Sequence, residues 1–314
     1  MELDEATRIA AEGLRLCLAG DDAAGLELYR QCALPRLLGR LPLGLHAQML
    51  EDGGRGDAAE ALRRLTLEQG GDLTWRAVVR PGTSPEAVAA EYEGFFTRGL
   101  ANPAMVGRYV QTLTELGRSA EVAAIFDSRR LIHCVTLGDA EAVAAALLEA
   151  EDGLEHGSRQ ITHGMRYLLG VEQLGTPVFD DLLAECRAET EAYFARWAAS
   201  DHPLAHLVPS DFAITAWAMV SRAEGYNSRH QHPVGWATGV YYPAGLPEGS
   251  IGGSLRIGGW NDPPLPGWPS ASIRPEPGLL VLIPSWYVHW TEPTGAEGAR
   301  LAIAFDAVPR GREG

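Results

Sequence analysis

The sequence predicts an α+β chain in two parts, an N-terminal array of short helices followed by a small antiparallel β sandwich or barrel. Two observations carry this. Up to about residue 155 the chain is rich in alanine, leucine and glycine at helical spacing, and one phrase returns in altered form. After about residue 205 prolines and glycines crowd in, and short alternating or apolar runs replace the helical pattern. A chain of 314 residues has room for two cores of ordinary size.

The returning phrase reads "LAGDDAAGLEL", "GRGDAAEALRRL", "ELGRSAEVAAIF" and "TLGDAEAVAAAL". Each copy is expected to end one helix at a glycine, cap the next with Asp or Ser, and continue in alanine and leucine, which makes helical hairpins in series. Gly20 and Gly56 are 36 residues apart, close to the tetratricopeptide period of about 34, whereas Gly117 and Gly138 are 21 apart. Residues 1–155 therefore resemble a degenerate tetratricopeptide (TPR-like) helical-repeat domain, and the resemblance implies a groove for a peptide or protein partner. Residues 1–200 hold 31 acids against 19 arginines, and residues 201–314 hold 10 against 7. A partner of the helical half is thus expected to be basic.

A longer helix is expected over about Pro177 to Trp197, after a Gly-Thr-Pro start, with Phe179, Leu182, Leu183, Cys186, Tyr193 and Trp197 near helical spacing. Six strands are expected in "FAITAWAMVSR", "WATGVYYP", "GSLRIG", "GLLVLIPS", "YVHWTEP" and "ARLAIAFDAV".

Charge narrows the chemistry. The net charge of −15 argues against a broad nucleic-acid or anionic-membrane surface, which needs clustered cations. All 26 basic residues are arginine, so a lysine Schiff base and a Walker-type phosphate loop are excluded. Cys17, Cys32, Cys134 and Cys186 form no CxxC pair and are expected to be free thiols. The first residues carry acids where a signal peptide needs bases, and no apolar window approaches the roughly 20 residues of a spanning helix, so a cytoplasmic location is expected.

Two histidines open the aromatic stretch "NSRHQHPVGWATGVYYP". At i, i+2 spacing on an extended chain, His230 and His232 leave the same face and can converge on one point, with Gln231 turned away. His289 stands five residues past Pro284, at the end of an apolar run, and an antiparallel roll can bring it opposite the pair. Arg300, Ala302, Ala304 and Asp306 share one face of a strand. An inward arginine is costly unless it meets an anion, and Asp306 lies about 20 Å away along that strand, too far to pair with it.

The order HxHP-like "HQHP", "GVYYP", "GGSLRIG" and "LIPSWYVHWTEP…RLAIAFD", over about residues 211 to 308, resembles a bacterial branch of the Fe(II)/2-oxoglutarate-dependent oxygenases. The resemblance implies a double-stranded β-helix (jelly-roll, cupin-like) over 206–310, flanking helices over 156–205, and together an oxygenase domain spanning 156–314. It implies that His230 and His289 are iron ligands and that Arg300 binds the C5 carboxylate of 2-oxoglutarate with its guanidinium fork. Thr238 and Tyr242 are expected to contact the same cosubstrate. His232 stands where the superfamily has aspartate and is expected as the third metal ligand, with a place behind the ligands as the alternative; Asp262 is an acid that could in principle reach the site. The implied activity is that of an iron-dependent dioxygenase, an oxidoreductase that hydroxylates a peptide or protein side chain, or a small metabolite, with release of succinate and carbon dioxide. A three-histidine cupin-type dioxygenase without 2-oxoglutarate, and a non-catalytic repeat-containing binding protein, are the alternatives.

Overall fold

The computed structural model describes residues 1–34, 41–73, 84–157 and 162–310. They form two compact units, 1–118 and 119–310. In the first, helices pair in chain order: Leu3–Leu18 with Asp22–Cys32, Leu43–Asp52 with Gly56–Glu68, and Pro85–Thr97 with Pro103–Glu115. Apolar side chains at helical spacing fuse the first two pairs into one core that includes Tyr29, Leu50 and Leu62. The opening pair crosses closely because Gly13 meets Gly25; a Cβ on Gly25 would lie 2.3 Å from the Cys17 sulfur.

The turn phrase works as expected at Asp21, whose side chain accepts from the Ala24 N–H. It fails in two copies. Gly56 begins a helix instead of ending one, since Gly54 takes the left-handed conformation (φ +75°) and Arg55 occupies the cap. Gly138 follows a strand, β1 (His133–Thr136), although Asp139 does cap the helix Ala140–Glu149. The described residues from the helix Ser119–Ile125 to Arg310 fall in the second unit, whereas the sequence groups residues up to 155 with the hairpins.

In that second unit a seven-stranded antiparallel sheet takes the order β1-β8-β5-β10-β4-β3-β2, with β2 Glu155–Gly157, β3 Thr162–Leu169, β4 Phe212–Asn227, β5 Ala237–Tyr242, β8 Leu279–Pro284 and β10 Ala299–Pro309. A three-stranded sheet takes the order β7-β6-β9, from Ala271–Ile273, Leu255–Gly258 and Val288–Thr291. All six expected strands are present. Residues 156–157 and 162–169, expected within the flanking helices, instead belong to β2 and β3, because β3 pairs along β4 and extends the large sheet. From β4 onward the chain passes repeatedly between the sheets: β4, then a bridge at His230 beside β9, then β5, then β6 and β7, then β8, β9 and β10. This is jelly-roll winding.

The helix Pro177–Ala198 starts and ends almost where the sequence predicts. It buries Phe194 edge-on against Phe212 of β4 and sets Trp197 among Trp236 and Trp286. No helix among the described residues is long and apolar enough to cross a membrane.

Candidate metal centre

The two sheets enclose a cavity of about 250 Å³. Small side chains make the room: along β10 the inward face reads Arg300, Ala302, Ala304, and β5 contributes Thr238, Val240 and Tyr242. Trp217, Met219, Leu255 and Ile283 supply much of its apolar wall.

The three histidines meet at one end. His230 and His289 exchange both backbone hydrogen bonds, N to O at 3.1 and 2.9 Å, so they are direct cross-strand partners with side chains on the same face. Two residues on, the His232 N–H donates to Ser285 O at 2.9 Å, which keeps the chain beside the end of β8. Ring centroids lie 4.2 Å apart for His230 and His289, 5.0 Å for His230 and His232, and 5.1 Å for His232 and His289. One nitrogen from each ring lies within 4.8 Å of the others.

Hydrogen bonds behind the rings fix which nitrogen points inward. His230 Nδ1 is 2.8 Å from Ser228 O and His289 Nδ1 is 2.9 Å from Tyr287 O, so each Nδ1–H donates to a carbonyl and Nε2 keeps its lone pair. His232 Nδ1 instead meets a carboxylate, 2.8 Å from Oδ1 and 2.9 Å from Oδ2 of Asp306. His232 Nε2 is buried with no hydrogen-bond partner among the described residues. Burial, then His232 beside it, pulls the His230 pKa down to about 4. Burial foremost, with the neighbouring histidines, holds His289 well below the usual imidazole range. Both rings are therefore neutral near pH 7. Three convergent imidazoles, one with a buried ring nitrogen left without a partner among the described residues, suit a divalent transition metal.

Arg300 occupies β10 six residues from Asp306 and is only 3 % exposed. Its Nη1 donates to Gly253 O at 3.3 Å and, at 3.5 Å, to Glu292 O. No carboxylate pairs with it among the described residues. Burial lowers its pKa, as expected of a desolvated cation, and Tyr242 beside it acts the other way. The Tyr242 hydroxyl is pushed up to about 12 by burial. Thr238 lines the cavity, but its hydroxyl donates to Asp306 Oδ1 at 2.8 Å and lies 2.9 Å from Ser285 Oγ.

Asp262 stays outside: its side chain is 84 % exposed and lies 3.7 Å from Arg229 Nη2. Arg229 also sits 4.0 Å over the Trp290 ring and donates to Gly259 O and Asn261 O. The proline-bounded acid thus belongs to a loop clamp.

The sequence assigns no part in the site to Asp306 or Asn227, while Trp217 counts there only as one of many aromatic residues around it. Asp306 was weighed only as a partner for Arg300, and its contact with His232 bridges 74 residues that only the β10–β5 register brings together. Trp217 stacks on His232 at 5.6 Å, and alternation along β4 could have placed it inward. Asn227 lines the cavity with its Oδ1 unpartnered among the described residues, and no sequence signal marks it.

No protein-family model matches the chain, and no curated protein matches it. Solved structures do. A prolyl-4-hydroxylase of Pseudomonas putida is 16 % identical with a TM-score of 0.42, covering 60 % of this chain and 100 % of its own. A prolyl hydroxylase from Trichoplax adhaerens, in complex with a hypoxia inducible factor peptide fragment, is 16 % identical with a TM-score of 0.44, covering 63 % and 91 %. HygX from Streptomyces hygroscopicus, with nickel and 2-oxoglutarate bound, is 14 % identical with a TM-score of 0.35, covering 57 % and 82 %.

Proposed function

We propose that this chain is an Fe(II)- and 2-oxoglutarate-dependent oxygenase that hydroxylates a peptide or protein side chain or a small metabolite. One observation carries the reading: a single apolar cavity has three inward imidazoles at one end and a buried arginine without a carboxylate among its lining residues. His230, His232 and His289 would hold the metal through Nε2. Bound iron and 2-oxoglutarate together supply the oxidising power for hydroxylation, with succinate and carbon dioxide released.

Everything else is the work of the chain. Arg300 binds the distal carboxylate of the cosubstrate; its fork suits a bidentate contact, and burial strengthens that contact by removing competing water. Ala302 and Ala304 leave the space the cosubstrate needs between Arg300 and the histidines. Trp217, Met219, Leu255 and Ile283 keep water out of the reacting volume.

Three neutral ligands also suit a cupin-type dioxygenase that uses no 2-oxoglutarate. Arg300 favours the first reading, since that mechanism leaves the buried guanidinium without a task. Anaerobic titration of the Fe(II)-loaded protein with 2-oxoglutarate tests the choice. The metal-to-ligand absorption band should appear on addition, and succinate should be released on turnover with oxygen. Iron uptake without either signal moves the assignment to the second reading.

A further inference from the structure

We propose that Asp306 is the positioning residue of the metal centre: it holds His232 with Nε2 toward the cavity and places a negative charge one ring away from the metal. This rests on the reading of the three histidines as ligands. Among the three, only His232 backs onto a carboxylate; the other two back onto backbone carbonyls. A ligand set of three neutral rings lacks the charge that the usual two-histidine, one-carboxylate face provides. A carboxylate hydrogen-bonded to the far nitrogen of a ligating imidazole raises that ring's basicity and fixes its orientation.

The surroundings fit this task. Asp306 is buried, and its Oδ1 is held by Thr238, whose hydroxyl in turn meets Ser285. Ser285 O receives the His232 backbone N–H, so ring and acid are tied to the same short stretch of chain. Trp217 stacks on the His232 ring, with centroids 5.6 Å apart and planes 17° from parallel. Space for the acid depends on Gly235: a Cβ there would lie 2.8 Å from Asp306 Cβ and 2.9 Å from its Cγ. A substitution at Gly235 therefore displaces the carboxylate without removing it.

The test uses the full chain and Co(II), titrated anaerobically against a competing chelator, together with nitrogen NMR of the histidines in metal-free protein. Wild type should bind Co(II) and show His232 protonated at Nδ1. Asp306→Asn keeps an acceptor but not the charge and should bind about 10-fold more weakly; Asp306→Ala should lose about 100-fold and the fixed tautomer, the span seen for outer partners of metal-binding histidines. Gly235→Ala should fall in the same direction, which keeps the test open if Asp306→Ala does not fold. Wild-type affinity in Asp306→Asn and Gly235→Ala, or a wild-type His232 protonated at Nε2, overturns the inference while leaving the metal centre standing. A wild type that takes up no Co(II) overturns the metal centre and, with it, this role for Asp306.

Discussion

The two ends of the inward face of β10 carry opposite charges in opposite circumstances. At the Asp306 end the carboxylate is answered from within the chain: with His232 Nδ1, Thr238 and Ser285 it forms one buried hydrogen-bonded network. At the Arg300 end a guanidinium 3 % exposed has two long contacts to carbonyls and no counter-charge among the described residues. A buried charge without its partner is expensive, so an unanswered one marks where a ligand supplies what the fold does not. Scaffold and binding site can thus be told apart on a single strand by asking which charges are already paired.

The contrast is most easily broken at the histidines. His230→Ala or His289→Ala should reduce metal affinity by more than the ~100-fold that disturbing an outer partner can cost, with far-ultraviolet circular dichroism unchanged. Equal metal stoichiometry in both variants, measured on purified protein, would remove the metal from the account. Next in size is Arg300→Ala, which should keep the metal yet weaken 2-oxoglutarate binding about 100-fold, the cost of a desolvated bidentate contact. Arg300→Lys should recover only part, because an ammonium does not reproduce the fork. Identical titrations in all three proteins would show that the arginine is answered by something other than the cosubstrate.

Acid sharpens the comparison from the other side. The His230 pKa falls from an ordinary value near 6.5 to about 4 in the folded chain. The unfolded chain therefore binds more protons between those values, and this contribution to stability is present above about pH 6.5 and lost as pH drops toward 4. It amounts to roughly 3 kcal/mol at most for a shift of that size. Chemical denaturation of metal-free protein across that window should show the decline, and His230→Gln should flatten it. The smallest effect is expected of Thr238→Val, which removes one of the hydrogen bonds holding Asp306 and should cost about 1 kcal/mol in the same assay. A loss several times larger would mean that the network at this end is more strongly coupled than its separate contacts suggest.

Much of this was legible in the sequence. Alternation and turn residues mark β4, β5, β6, β8, β9 and β10, and the i, i+2 pair with a later histidine and arginine names groups that the fold brings to one cavity. What escaped depends on distant partners. β1 is four residues long and lies among helices, so its strand character comes from pairing with β8 rather than from any periodicity of its own. β3 is likewise defined by its pairing with β4. Asp306 sits on the correct face by simple alternation, yet nothing local says that His232 lies across from it. That fact belongs to the crossing between sheets.

Because Arg300, Ala302, Ala304 and Asp306 alternate with Leu301, Ile303 and Phe305 on one strand, β10 contains two mutually exclusive versions of its inner wall. In the native register the small and charged set faces in. A slip of one residue against β4 and β5 would turn both charges outward and drive three bulky apolar side chains into the space they vacate. The misaligned form would be a solid, well-greased barrel, plugged by its own strand and free of buried charge. Hollowness in this molecule is therefore a property of alignment, maintained by the pairing of one eleven-residue strand with its two neighbours.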